Sequence, residues 1–481
     1  MQFDRKILLI GYGSVAKCVL PILMRHLTVP YQNITVVDFI ETDESLRQWI
    51  DQGINFYQER VTPDNLAQML ACHVGHGGLL IDLAWNIDSV ELLQWCHVHD
   101  VLYINTSLEE WDPYAGMRTR SPLEKSLYAR HMRLRAAAKW SGSAATAVLD
   151  HGANPGLISH FARLGLYDLA QKKITEPSVP KKEKKLLEEL LARQDFARLA
   201  MRLGVKVIHC SERDTQITNR PKEVDEFVGT WSIEGLREEC IAPAEMGWGT
   251  HEEPPSLSAV FPEQGPQHQI FLCQMGMNTW VRSWVPQQEI VGMVIRHGEA
   301  FTISDSLTVR DENGAAAYRP TVHYAYMPCH ETISSLHELR CRSYELQPNQ
   351  RIMRDEIVKG KNILGALLMG DCGTWWTGSI LDIKEARRLV PHQNATTMQV
   401  AIGVVAAVLW MLEYPRQGVC VPDDLPYDHI LAVAKPYLGE LLSIPSNWTP
   451  LANLPVFFKE NPRAALNPAN PWSFENFLFR L

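Results

Sequence analysis

Lys6-Ile-Leu-Leu-Ile-Gly11-Tyr-Gly13-Ser14-Val15-Ala16 runs an apolar strand into a glycine turn, and Ile34-Thr-Val-Val-Asp38 follows one helix later. That order decides the fold. Gly11 lets the chain turn sharply off the strand, Gly13 lets the backbone approach a pyrophosphate, and Ala16 lets the next helix pack close to the strand. Ser14 and Val15 open this helix, and its free N–H groups face the phosphates. Asp38, ending the second strand, is placed to accept from both ribose hydroxyls and to repel a 2′-phosphate. The cofactor expected is therefore NAD rather than NADP.

Working outward, 481 residues are too many for one core and imply roughly two to three domains. A hydrophobic fraction of 46% and a charged fraction of 21% are ordinary for a folded globular chain. The net charge of −9 argues against nucleic acid or an anionic membrane as partner and suits a cationic ligand. Ten cysteines lie scattered without Cys-x-x-Cys or zinc-ligand spacing, so no metal is expected and the thiols read as reduced. Met1-Gln-Phe-Asp-Arg5 leads directly into the first strand, which reads as a cytoplasmic chain without a signal peptide. The apolar stretch Met398 to Leu412 is short for a bilayer and holds Gln399 and Gly403, so it reads as a buried helix. There are no internal repeats, no Walker-type loop and no Gly-x-Ser-x-Gly elbow, which sets aside phosphoryl transfer and serine hydrolysis.

Further strands are expected at Gly53–Phe56, Gly78–Leu83, Val101–Thr106 and Ala147–Asp150, alternating with helices that include a long basic one from Glu124 to Trp140. Such alternation implies a Rossmann-type parallel sheet with ligands beyond the carboxyl ends of its strands. Those ends carry Gly11, Asp38, Asp82 and Thr106, which are assigned to the cofactor. His151-Gly-Ala-Asn154-Pro-Gly156 closes this domain in a turn where a nicotinamide would sit. Past Leu157 the pattern changes to an inserted α+β domain, with a lysine-rich solvated helix near Lys181 and antiparallel strands between Phe271 and Arg310. The division expected is 1–156 for NAD, 157–393 for substrate binding and dimerisation, and 394–481 as a helical segment packing back on the first domain.

The motifs Ile10-Gly-Tyr-Gly-Ser14, Thr106-Ser-Leu-Glu109-Glu-Trp111, Gly152-Ala-Asn-Pro-Gly156, Glu212-Arg-Asp-Thr-Gln216, Thr230-Trp-Ser232, Val294-Ile-Arg-His297-Gly-Glu299 and Arg354-Asp-Glu-Ile357 span nearly the whole chain in order. Together they resemble bacterial homospermidine synthases, within the wider group that looks like saccharopine dehydrogenase. The resemblance implies that two putrescines are joined into homospermidine with loss of ammonia, spermidine serving as an alternative aminobutyl donor. It implies NAD recycled within each turnover: hydride leaves an amine carbon, a second amine displaces ammonia from the imine, and the hydride returns. A homodimer is implied as well.

This chemistry needs carboxylates for alkylammonium groups, a face for a passing cation and a proton acceptor. Glu109 is the expected anchor for one ammonium, with Glu110 beside it as the alternative. Glu212, a surface acid by its immediate pattern, is assigned to catalysis through the resemblance. Trp231 is assigned the cation–π face, although a lone tryptophan is more commonly core. Glu239 is a candidate for the distal amine or a solvated helix acid, and Asp355 a further ammonium partner. His297, read on a strand, is the expected proton acceptor, its own proton pushed off by burial beside cations. Asn154 is expected to orient the nicotinamide or an imine nitrogen. No lysine is placed for a covalent imine, so transimination passes directly between substrates. The rival reading is a net NAD-dependent dehydrogenase of a secondary amine, of the saccharopine or carboxyspermidine dehydrogenase type, whose carboxylate-bearing substrate would call for arginines in the cleft. A catalytically dead NAD-binding regulator is the other.

Overall fold

The structure is a computed structural model and describes residues 1–41, 44–116, 118–140, 143–263, 265–266, 269–452 and 466–479. Six strands, β1 (Ile7–Ile10), β2 (Ile34–Asp38), β3 (Asn55–Gln58), β4 (Leu79–Asp82), β5 (Leu102–Asn105) and β6 (Ala147–Val148), pair in parallel in the spatial order β6-β5-β4-β1-β2-β3. Alternation within β1 builds both faces: Ile7 and Leu9 enter one core, Leu8 and Ile10 another. Helix α1 (Ser14–His26) and the helix Ala395–Glu413 cover the first face. The helices Leu66–His73, Ser89–Val98 and Leu127–Ala137 cover the second. Burial on both sides explains why β1 is apolar without interruption. The strand order reverses between β1 and β4, so a crevice opens at their carboxyl ends.

A seventh strand, Val419–Cys420, pairs in parallel with β6 and comes from the far end of the chain. The apolar helix Ala395–Glu413 is long enough to cross a membrane by composition, yet 89% of its apolar window is buried inside the molecule. Two elements differ from the pattern reading. The third strand starts at Asn55 rather than Gly53, and the basic helix is confined to Leu127–Ala137 because Ser126 caps it, Oγ accepting from the Ala129 N–H at 3.0 Å.

Beyond the Gly152–Gly156 turn the helix Leu157–Thr175 packs on a second, ten-stranded mixed sheet. Its central strand β7 (Val205–Asp214) runs parallel to Thr321–Met327 and antiparallel to Lys361–Gly370, so the sheet is not wholly antiparallel. Residues 394–481 are not simply a helical return to the first domain. Glu440–Ser446 forms the edge strand of the second sheet beside Gly373–Asp382, and Phe474 and Phe477 bury themselves against that sheet's core.

Candidate active site

The carboxyl ends of β1, β4 and β5 face the end of β7, the Thr230–Ser232 turn, the helix Ile233–Ile241 and the loop before His297. The cleft between them has two parts. Tyr12, Gly13, Ser14 and Asp38 line the first with Ile352 and Arg354 from the second domain. Gly11 has φ +84°, and a Cβ there would lie 2.9 Å from the Ala84 nitrogen, while Gly13 faces open space. Asp38 Oδ2 accepts from the Tyr12 N–H at 2.5 Å and Oδ1 from the Ile40 N–H at 2.8 Å. Its carboxylate is thus aimed at this space by two backbone donors. Asp82 lies differently from the expected cofactor contact: it is buried, accepting from the Tyr103 hydroxyl at 3.2 Å and the Ala84 N–H at 3.2 Å. Burial raises its carboxyl to about 7, so it supports the turn above it from beneath.

Val15, Thr106, Glu109, Asn154, Glu212, Trp231, Glu239 and His297 come together in the second part of the cleft. Glu212 is buried at the end of β7, where Oε2 accepts from Asn154 Nδ2 at 3.1 Å and from the Tyr324 hydroxyl, and Oε1 from Asn362 Nδ2 at 2.8 Å. Burial lifts its carboxyl to about 7 against the lowering effect of these donors. Glu109 is half-buried, with Ser107 Oγ donating to it at 2.5 Å, and its removal from water together with Glu238 raises it to about 7. Glu110 instead faces Arg120 and Arg133, the latter at 2.8 Å. Trp231 presents its indole to the cleft with Nε1 donating to the Tyr326 hydroxyl at 3.3 Å.

His297 departs from expectation twice. It lies in a loop rather than a strand, between Gln288–Met293 and the helix Glu299–Ser306. Burial alone would expel its proton, but Glu239 at 2.9 Å from Nε2 and Glu299 at 3.3 Å from Nδ1 outweigh that and hold the imidazole well above its ordinary range. The direction of this shift is opposite to that expected from burial beside cations. Asp355 does not reach the cleft. It sits exposed beside His392, 2.9 Å away, at the edge of a separate pocket with Tyr12, Lys17 and Arg354.

Several residues escaped the pattern reading. Arg130 and Arg296 do line the cleft, although arginines were not expected there. Both are taken up by Glu238 Oε1, Arg130 Nη2 at 2.6 Å, and Glu238 Oε2 accepts from Trp85 Nε1 at 3.0 Å. Burial opposes ionisation of Glu238, but the two guanidiniums prevail and hold its carboxyl below the usual range. Trp85 follows β4 directly, a strand-end position that marks ligand contacts in this architecture and was the signal available. Tyr324 comes from mid-strand and Asn362 from the start of the strand Lys361–Gly370, neither with a motif. Among the described residues lining the second part of the cleft there is no lysine, while Lys17 lines the first.

The saccharopine dehydrogenase NADP binding domain matches residues 7–149, and the saccharopine dehydrogenase C-terminal domain matches residues 152–444. The homospermidine synthase of Blastochloris viridis is 39% identical over 100% of this chain and 98% of its own length. The chain belongs to the homospermidine synthase family. The homospermidine synthase of Mesorhizobium japonicum is 37% identical over 98% of this chain and 96% of its own. The crystal structure of the Legionella pneumophila homospermidine synthase in complex with NAD superposes with a TM-score of 0.88 at 33% identity, covering 100% of this chain and 99% of that one. The overall fold described above is thus shared with that structure.

Proposed function

We propose that this chain joins two putrescines into sym-homospermidine with release of ammonia, spermidine replacing one putrescine as donor. The observation that carries this reading is that the second part of the cleft combines the buried Glu212 and the half-buried Glu109 and Glu239 with the Trp231 indole, and no lysine is among the described residues lining it. Gly11, Gly13, Ser14 and Asp38 fit NAD, since the glycine turn leaves open space over Gly13 and Asp38 would repel a 2′-phosphate. When bound, NAD supplies the acceptor for an electron pair that is later given back.

Glu109 and Glu239 pair with the outer ammonium groups of the substrates. A carboxyl raised to about 7 ionises when an ammonium arrives, so Glu109 contributes most when its partner is present. Trp231 offers its face to the cation between states, worth about 2 kcal/mol when desolvated. Glu212 takes the proton from the reacting ammonium, because its carboxyl at about 7 exchanges protons near neutral pH. Asn154 donates to Glu212 and thereby orients it toward the turn at Gly152–Gly156. His297 supplies the proton that a departing amine needs. The protein as a whole works as a homodimer in the cytosol; the ten cysteines, all free, agree with a reducing compartment.

The dehydrogenase reading requires cleft arginines to meet a substrate carboxylate, but Arg130 and Arg296 are already satisfied by Glu238. The test is purified protein with putrescine and substoichiometric NAD, products read by mass spectrometry and ammonia by coupled assay. Homospermidine and ammonia in excess over NAD are expected. Reduced cofactor without a larger polyamine would overturn the reading.

A further inference from the structure

Asp150, two residues beyond β6, reaches the cleft with φ +57°, its N–H donating to Asn105 Oδ1 at 2.8 Å. Its side chain lines the cleft against Gly298, the neighbour of His297; a Cβ on that glycine would lie 2.3 Å from Asp150 Oδ2. The same Oδ2 lies 3.0 Å from Nε2 of His131, and both side chains are almost wholly buried. His131 in turn lines a second cavity of about 310 Å³ together with Arg135, Thr302, Asp305, Asp423 and Asp424. That cavity reaches the surface where Arg135 and Asp424 are exposed. Asp150 and His131 therefore form a partition two side chains thick between the active cleft and an acidic vestibule.

We infer that His131 and Asp150 carry one proton out of the cleft and return it in every turnover, through this vestibule. The inference rests on the reaction proposed above, and its balance is as follows. Converting a primary ammonium to an iminium releases one hydride, for which bound NAD would be the acceptor, and one proton. Exchange of the iminium nitrogen with a second ammonium releases ammonium and leaves the proton count unchanged. Reduction of the new iminium takes back the hydride and one proton. On the outward step Asp150 protonates Nε2 while Nδ1 releases its proton toward the vestibule. On the return step Nδ1 gains a proton and Nε2 surrenders one to Asp150.

The ring thus resets without rotating. A ring wedged against Phe301, with centroids 5.2 Å apart, need not flip. The charged groups around the pair suit the task. Asp305 is joined to Arg135 at 2.7 Å, Asp423 accepts from Ser159 at 3.0 Å and Ser306 at 3.2 Å, and Asp424 accepts from the Val421 N–H at 2.9 Å. These carboxylates raise the local concentration of protons at the outer end. On the cleft side Asp150 shares its lining with the titratable His297, Glu239, Glu212, Glu238 and Glu109 and with Arg130 and Arg296.

The test uses full-length, NAD-loaded protein and follows transient cofactor reduction by absorbance after mixing with putrescine. Asp150→Asn and His131→Ala should slow that phase on the order of 10²-fold. Added imidazole, entering by the vestibule, should restore His131→Ala at least in part and leave Asp150→Asn unchanged. A phase within twofold of the parent in either variant would overturn the relay, as would a slow, NAD-binding His131→Ala that ignores imidazole. Should His131→Ala fail to fold, nitrogen-15 NMR of the histidine-labelled parent decides. Exchange of His131 between both neutral tautomers supports the relay, and one fixed tautomer from pH 6 to 9 refutes it. A parent that makes no homospermidine would sink the reaction itself, whereas unchanged variants of an active parent sink only the relay.

Discussion

Glu212→Gln separates what the buried carboxylate costs the fold from what it does for the reaction. The substitution keeps the shape but turns one acceptor oxygen into a donor, facing a pocket whose three contacts are donors from Asn154, Asn362 and Tyr324. One mismatched donor costs about 1–3 kcal/mol at any pH. Against this, the native carboxyl is raised from 4.5 to about 7 by burial, so ionising it opposes folding. A raised carboxyl opposes folding only as pH climbs from the unfolded value through the folded one. Between pH 5 and pH 8.5 the native protein loses roughly 2.5 kcal/mol that the glutamine variant keeps. With an unfolding entropy near 1 kcal/mol/K for a chain of 481 residues, that is a relative Tm change of about 2.5 °C. Scanning calorimetry of the ligand-free proteins should therefore show the variant melting below the parent at pH 5 and closing on or passing it at pH 8.5. Homospermidine formation should fall by about 10²-fold or more at every pH. A Tm difference that stays flat across this range would refute the claim that Glu212 is held near neutrality by burial.

Trp231→Phe should retain part of kcat/KM for putrescine and Trp231→Leu should lose about 30-fold, the equivalent of about 2 kcal/mol; equal values would remove the cation–π role. Glu239→Gln takes away one of the two carboxylates on His297, so its imidazolium is lost at lower pH, and the alkaline limb of the kcat/KM profile should move downward. An unmoved limb would show that Glu299 alone governs that proton. At Gly403 a Cβ would lie 2.0 Å from the Gly152 carbonyl oxygen, so Gly403→Ala should cost about 1–3 kcal/mol and push the Asn154 turn off Glu212, read as a drop in both Tm and kcat.

Much of the first domain was legible because its signals are local. The β1 alternation, the glycine turn and Asp38 lie within one strand-helix-strand unit, and each acts through backbone geometry that neighbouring residues dictate. The cleft was legible only in part. Glu109, Glu212, Trp231, Glu239 and His297 do meet there, whereas Asp355 faces solvent and Asp82 lies under the floor. Glu238, Arg130 and Arg296 went unread, since an arginine's role depends on whether a carboxylate from another element has already claimed it.

Local order in the chain determines the nucleotide sheet and the preference for NAD, because turns and periodicity are properties of adjacent residues; the need for a cation-binding site is what the resemblance of its motifs implies. Tertiary structure alone decides protonation. His297 is held above its ordinary range because Glu239 and Glu299 converge on it from two helices, and the Glu212 carboxyl is pushed up to about 7 because the second sheet removes it from water. A side chain's charge depends on solvent and partners that only folding supplies.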